Sequence, residues 1–479
     1  MKAAGWKSVV ATSSFLLLAL TGVGQAQATD DVLPEEILNA LGYRNLPADS
    51  LSVYVENLQT GEVVLAWHES ESRNPASVMK MVTTMVALDV LGPAYRWQTD
   101  VFFQGEVTDG VLDGDLLLRG NGDPFLVTER FWQMLRQIQQ AGVREISGGL
   151  VLDDSYFQVV DHDPAAFDRA PLRAYNVGPN ALLSNFKVVR YIFRPDGAGG
   201  VNVRLDPELQ ELSVVNRLKV TNGSCRGYQR GIAVTMNDAL DEVTFSGRFP
   251  SGCNVYSMDR TALSHNQFTY SLFKTLWQQT GGSIAGSWTA GVVGDDDEPD
   301  LSFRSMPLSE IISRVNKHSN NVMARQLLYT LAAEEKGVPG TEAAGREVIL
   351  EWIEKKGLDT TATRLKNGAG LSREVRVSAK TLVELLRVAY DSRFMPEFVS
   401  SLSLSGLDGT LSRRFRNGEL TGRAHMKTGS LDHVTAIAGY FQSRSGERYL
   451  VSALQNYEDV HRGPGDEVQA ALLKWLNRR

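Results

Sequence analysis

The chain has 479 residues, 43% hydrophobic and 22% charged, which is the composition of a soluble globular protein and excludes a fibrous or disordered one. That length allows two to four domains. A formal net charge of -7 excludes a broad surface for nucleic acid or anionic membrane, while leaving room for locally basic substrates.

At the start, Lys2 and Lys7 precede an apolar segment over 9–23, and Ala26-Gln27-Ala28 has the small-x-small pattern of a signal-peptidase site. Residues 1–28 therefore read as a cleavable signal peptide. Loss of the two lysines takes the net charge from -7 to -9. No cysteine lies near the cut, and no later stretch offers the roughly 18 apolar residues of a membrane span.

Residues 51–56 and 63–67 read as a hairpin around Gln59-Thr60-Gly61-Glu62. Pro75 suits the first turn of a helix, and an apolar run follows over 78–91. Ser77 then sits at the helix start with Lys80 three residues on, close enough for a hydroxyl to pass its proton to an amine. Ser-x-x-Lys occurs again at Ser184 to Lys187 and at Ser271 to Lys274. Ser271 falls in the middle of an amphipathic helix predicted over 268–280, and Ser184 lies in a loop with no helix to fix it. Ser77 is the stronger candidate.

Beyond Gly92-Pro93 the pattern changes to short strands, over 98–103, 110–118 and 146–152, with a helix over 128–140. Residues 197–257 are β-rich, with strands over 201–205, 212–220 and 232–245. This middle region reads as an insertion bounded by the acidic loop 295–300. Cys225 and Cys253, the only cysteines of an exported chain, are expected to form a disulfide contributing roughly 3 kcal/mol. Helices are predicted over 308–315, 321–333, 345–356 and 379–390, then strands over 433–441 and 448–455 and a last helix over 466–476. Strands at both ends around a helical cluster make one α/β domain, split by the insertion.

Acyl transfer needs a nucleophile, a base, a proton relay, a cation for a carboxylate and an oxyanion hole. Ser77 and Lys80 supply the first two if burial and the charge of Lys427 lower the lysine's pKa. Ser319 can relay the proton, and Asn321 can orient Lys80 and a substrate amide. Lys427 and Thr428 can hold a carboxylate, and the N–H groups of Ser77 and Ser430 can form the oxyanion hole. The run Met426-Lys427-Thr428-Gly429-Ser430 precedes the strand predicted over 433–441. With no His, Cys and carboxylate cluster at ligand spacing, no metal is expected.

Ser77-x-x-Lys80, Ser319-x-Asn321 and Lys427-Thr428-Gly429 resemble the three motifs of penicillin-binding proteins and serine β-lactamases. The long gap between the first two resembles the class C low-molecular-mass penicillin-binding proteins, the D-alanyl-D-alanine carboxypeptidase/endopeptidase family. Gly122-Asp123-Pro124 and residues 368–373, 406–411 and 427–431 are also similar to that family. The resemblance implies an antiparallel sheet with a helical cluster, formed by residues 29–95 and 291–479. It is interrupted over 96–290 by two inserted domains, expected as a small α/β unit over 105–165 nested in a β-rich remainder.

It further implies periplasmic hydrolysis of D-Ala-D-Ala and D-Ala-diaminopimelate bonds without a cofactor, with peptidoglycan stem peptides and β-lactams as partners and the oligomeric state left open. Arg373, Asp432 and, from the insertion, Asp168 ahead of Tyr175 are implied to touch the peptide stem. The family's Asp-Gly-Ser-Gly-Leu-Ser-Arg stretch stands here as Asn367-Gly368-Ala369-Gly370-Leu371-Ser372-Arg373, which lacks one carboxylate and one hydroxyl. A β-lactamase is the alternative enzyme, though no Glu-x-x-x-Asn element is evident, and a peptidoglycan-binding scaffold is the alternative outside catalysis.

Overall fold

A computed structural model describes residues 32–479 apart from 161, 227–230 and 295. The expected signal peptide lies outside the described residues. Helix α1 (Glu35–Tyr43) opens behind Pro34, with Glu35 and Glu36 where the helix dipole favours negative charge. Strands β1 (Leu51–Asn57) and β2 (Val63–Trp67) pair antiparallel, as the hairpin pattern predicts. A single 3-10 turn, Ala76–Val78, then runs into α2 (Met79–Leu91), which ends at Gly92 with φ 80°. Ten consecutive residues, from Met79 to Leu88, are buried. A helix apolar on all sides belongs in the middle of a core, and α2 packs against helices from the far end of the chain.

The insertion comes next. Strands β3 (Gln98–Thr108) and β4 (Val111–Gly120) form a long hairpin, followed by α3 (Thr128–Gln140), β5 (Glu145–Ile146) and β6 (Leu150–Asp153). Six strands then make two three-stranded sheets: β7 (Val188–Pro195), β8 (Val201–Asp206), β9 (Ser213–Thr221), β10 (Ile232–Met236), β11 (Glu242–Pro250) and β12 (Tyr256–Thr261). Cys225 and Cys253 are bonded there. Helix α4 (His265–Gln279), with a Ser264 and Gln267 capping box, leads to β13 (Ser283–Ile284), β14 (Trp288–Ala290) and β15 (Leu301–Arg304).

Here the expected nesting is reversed. A seven-stranded sheet takes β3 to β6 from one side of the β-rich pair and β13 to β15 from the other. The β-rich part is the inner unit and the α/β part the outer one. The parallel pairs β4 with β5 and β6, β5 with β13 and β6 with β14 explain why the sequence conceals this, because parallel partners are joined by long crossovers. Strand β15 pairs with β3, so this sheet continues past residue 290 to Arg304. Asp300 of the acidic loop accepts the Phe103 N–H at 2.6 Å. Two predicted strands are each divided: 146–152 at Ser147-Gly148-Gly149, and 232–245 at a turn where Asn237 Oδ1 accepts the N–H groups of Asp241 and Glu242.

The chain returns through α5 (Leu308–His318), α6 (Asn321–Lys336), α7 (Glu342–Lys355), α8 (Ala379–Tyr390) and α9 (Met395–Ser401). Then come β16 (Ser403–Leu404), β17 (Ala424–Leu431), β18 (Val434–Gln442), β19 (Arg448–Asn456) and α10 (Pro464–Asn477). The six-stranded antiparallel sheet has the order β16-β17-β18-β19-β1-β2. Its one face packs on α2 and the helical cluster, its other on α1 and α10. The first strand thus lies beside the last, with Leu51 opposite Gln455 and Asn57 opposite Tyr449.

Candidate active site

The turn that carries Ser77 is held from both sides. Ala76 has φ 46°, a left-handed conformation costly to a residue with a Cβ. Asn74 supports it: its Oδ1 accepts the Ala76 N–H at 2.8 Å and its Nδ2 donates to Ser372 O at 2.9 Å. Asn456 exchanges two further bonds with the Asn74 backbone. Strand β17 closes on the turn at Gly429, where a Cβ would lie 2.3 Å from Pro75 O and 3.0 Å from Ser77 N. Gly370, at φ 73°, is pressed as closely, its Cβ position 2.0 Å from Ala76 O.

Ser77 is half-buried, and Lys80 Nζ lies 2.9 Å from its Oγ, the pair that the Ser-x-x-Lys spacing predicts. Lys80 also donates to Ala369 O at 2.5 Å and is fully buried. Burial first, then the positive charges of Lys427 and Arg325, drive its pKa well below that of a free lysine. All three influences disfavour the charged ammonium relative to the neutral amine, which is a proton acceptor.

Ser319 follows α5 at φ 55°, and α6 starts two residues on behind an Asn320 cap that accepts the Met323 N–H. This tight junction turns the Ser319 hydroxyl toward Lys427, whose Nζ donates to it at 2.9 Å and to Thr428 O at 2.8 Å. Lys427 is fully buried on β17, and burial lowers its pKa to about 7. The Lys-Thr-Gly run thus lies within a strand, where the sequence reading placed it ahead of one. Thr428 Oγ1 donates to Thr410 Oγ1 at 2.8 Å, and Ser430 is exposed further along β17.

Asn321 departs from expectation. Its Nδ2 donates to Tyr175 O at 3.2 Å, while Lys80 is held by Ser77 and Ala369. A backbone carbonyl thus occupies the place expected of an amide side chain. Arg325, one turn along α6, reaches the carbonyls of Tyr175 and Val177, and burial lowers its pKa to about 10. Sequence reasoning passed over Arg325, Ala369 and Asn74, although the i, i+4 spacing of Asn321 and Arg325 on one helix was a usable sign.

The three peptide-contact candidates lie apart from the buried core of the site. Arg373 Nη1 donates to Asp432 O at 3.0 Å, its Nη2 lies 3.4 Å from Asp432 Oδ2, and its guanidinium covers the Phe167 ring at 4.9 Å. Asp168 accepts from Tyr175 Oη at 2.6 Å and Asn176 Nδ2 at 2.8 Å. Partial burial raises its pKa, and bonds from Tyr175, Asn176 and the Ala170 N–H outweigh that, holding the carboxyl below its ordinary range.

Of the rival motifs, Ser184 is buried against Thr269 Oγ1, and Ser271 Oγ accepts the Glu211 N–H while Lys274 pairs with Glu211. Neither serine hydroxyl meets the amine of its lysine. The premise that no ligand cluster exists is also corrected: the β18–β19 hairpin brings His433, Asp459 and His461 within 4.8 Å of one another. Each imidazole Nδ1 accepts a backbone N–H, from Asp459 and His433 respectively, at 3.0 Å. Those two backbone bonds occupy the Nδ1 lone pairs, so neither Nδ1 is free to bind a metal.

The sequence matches the D-Ala-D-Ala carboxypeptidase 3 (S13) family over residues 35–479. It is 29% identical over 490 residues to a D-alanyl-D-alanine carboxypeptidase of Actinomadura sp. (strain R39), covering 96% of this chain and 88% of that one. Identity with the D-alanyl-D-alanine carboxypeptidase DacB of Haemophilus influenzae is 22% over 416 residues, 85% of each chain. The fold is similar to the crystal structure of penicillin binding protein 4 from that organism, with a TM-score of 0.78 at 20% identity over 92% of this chain and 99% of that one. The same protein complexed with a β-lactam gives a TM-score of 0.73 at 20% identity, over 89% and 96%. The chain therefore belongs to the D-Ala-D-Ala carboxypeptidase 3 (S13) family, and is a serine-type carboxypeptidase on the penicillin-binding-protein fold.

Proposed function

We propose that this carboxypeptidase works in the periplasm through an acyl-enzyme on Ser77, releasing D-Ala from stem peptides and opening D-Ala-diaminopimelate crosslinks, and that β-lactams acylate the same serine. Ser77 Oγ attacks the D-Ala carbonyl as neutral Lys80 takes its proton. The tetrahedral oxyanion sits between the N–H groups of Ser77 and Ser430, which the bare backbone of Gly429 allows to approach. The proton taken up by Lys80 is relayed through the Ser319 hydroxyl to the leaving amine, which returns Lys80 to its neutral form and Ser319 to its hydroxyl, so the C–N bond breaks with the amine neutral. Lys427 and Thr428 hold the terminal carboxylate, and water then hydrolyses the ester. Asn321 borders the substrate amide, and Arg373, Asp432 and Asp168 meet the stem peptide, Asp168 at its free amino group.

One observation carries this reading: a fully buried lysine 2.9 Å from a serine hydroxyl, its charge disfavoured first by burial and then by the cations Lys427 and Arg325. Ser77→Ala should abolish labelling by a fluorescent penicillin and lower D-Ala release by roughly a thousandfold or more while the protein stays folded. Labelling that survives the substitution would overturn it. Digestion of purified muropeptides tests the endopeptidase part, which fails if monomers lose D-Ala while crosslinked dimers stay intact.

A further inference from the structure

The Ser-x-x-Lys match at Ser184 to Lys187 is no nucleophile and base, yet its lysine is singular. Asn185, Phe186 and Lys187 have φ of 43°, 55° and 53°. Three consecutive left-handed residues other than glycine cost roughly 1–2 kcal/mol each, and such strain gathers where a site is built. The turn is held by Asn185, whose Nδ2 donates to Val188 O at 2.9 Å, and by Phe186 against Phe125. It sends successive side chains different ways: Ser184 into the core, Phe186 to the cleft shared with Ser319 and Asn321, and Lys187 into a separate cavity.

That cavity has a volume of about 1100 Å³ and lies among residues drawn from 154–159, 162–181, 235–240 and 261–265, with Lys187. Phe157, Leu172, Met236 and Leu263 make much of its wall apolar. His265, the first residue of α4, and His162 at the rim complete its basic side, with the His162 ring packed on the Gly178 backbone. Lys187, half-buried, forms no side-chain hydrogen bond or ion pair among the described residues, and burial alone lowers its pKa to about 8. Both histidines are held below their ordinary range, first by burial and in part by the charge of Lys187. Among the described residues two carboxylates also line the cavity, Asp154, which accepts from Asn180 Nδ2 at 2.6 Å, and exposed Asp238, and neither pairs with the lysine.

We propose that this cavity is a second binding site, distinct from the Ser77 cleft, for an amphipathic anion: one acidic group paired with Lys187 and an apolar body against the wall. A cation with no counter-ion among the described residues, in a largely apolar cavity of this size, is what such a ligand complements, the acid group fixing orientation and the body supplying most of the affinity.

The test titrates the full mature protein with the fluorescent anion 1-anilinonaphthalene-8-sulfonate and with its uncharged analogue N-phenyl-1-naphthylamine. One saturable anion site is expected, at least tenfold weaker in Lys187→Met, retained in Lys187→Arg, and unaffected by prior treatment with penicillin. The uncharged dye should bind both proteins alike. Octanoate should displace the anion, and inorganic phosphate at the same concentration should not. Equal anion affinity in Lys187→Met, displacement by penicillin, or phosphate acting as well as octanoate overturns the proposal. Should Lys187→Met fail to melt cooperatively, the native protein decides alone: no preference for the anionic dye over the neutral one overturns it.

Discussion

At Gly429 a single added methyl group would stand 2.3 Å from Pro75 O and 3.0 Å from Ser77 N. Gly429→Ala must therefore move β17 or the Ser77 turn, and should cost about 1–3 kcal/mol in thermal unfolding and most of the acylation rate. Arg325 acts at longer range. Its charge helps lower the pKa of Lys80, so Arg325→Met should raise it. The rising limb of acylation against pH should then move to more alkaline values, and Arg325→Lys should restore it. Side chains proposed to act through their own functional groups, Ser77, Lys80, Ser319 and Lys427, were legible because their identities and order carry the signal. Ala369 was not: it contributes a carbonyl that any residue has, so the missing family hydroxyl at that position pointed to a loss where the backbone still supplies the Lys80 partner.

Among the elements, the 3-10 turn before α2 depends on Asn74. Asn74→Ala deletes the bonds to Ala76 N and Ser372 O and leaves the left-handed Ala76 without its support. A loss of about 1–2 kcal/mol in chemical denaturation is expected, with acylation falling further than stability alone explains. Long periodic helices were readable, and α3 and α8 begin and end where the pattern does. Strand β17 was not, because Lys, Thr, Gly and Ser over 427–430 have little of the β-branched or aromatic character that marks a strand. The pairing with β18 overrides that weak preference. The inner and outer units of the insertion were reversed for a related reason: which strands pair in parallel across a long crossover leaves no local trace.

For the whole molecule, the buried lysines set a slope of stability with pH. Lys427 titrates at about 7 when folded, whereas an unfolded lysine titrates near 10.4. Between those values the unfolded chain binds the extra proton, so protonation favours unfolding and stability should rise as pH climbs from about 7 to 9. Lys80 and Lys187 are lowered too and act in the same sense. Melting temperature across that range should increase, and Lys427→Met should flatten the rise.

The pairing of β1 with β19 sets residues 51–57 against residues 449–455, with the whole insertion between them. During synthesis the Ser77 helix is among the first elements made, yet β17, which lines it with Lys427, reaches its place only when β18 and β19 join the sheet to β1. Contacts so distant along the chain make for slow, late assembly. The hydroxyl and its lysine therefore wait for nearly the full length of the polypeptide, and a chain cut short anywhere before its last strands carries the proposed nucleophile without the strand that completes its surroundings.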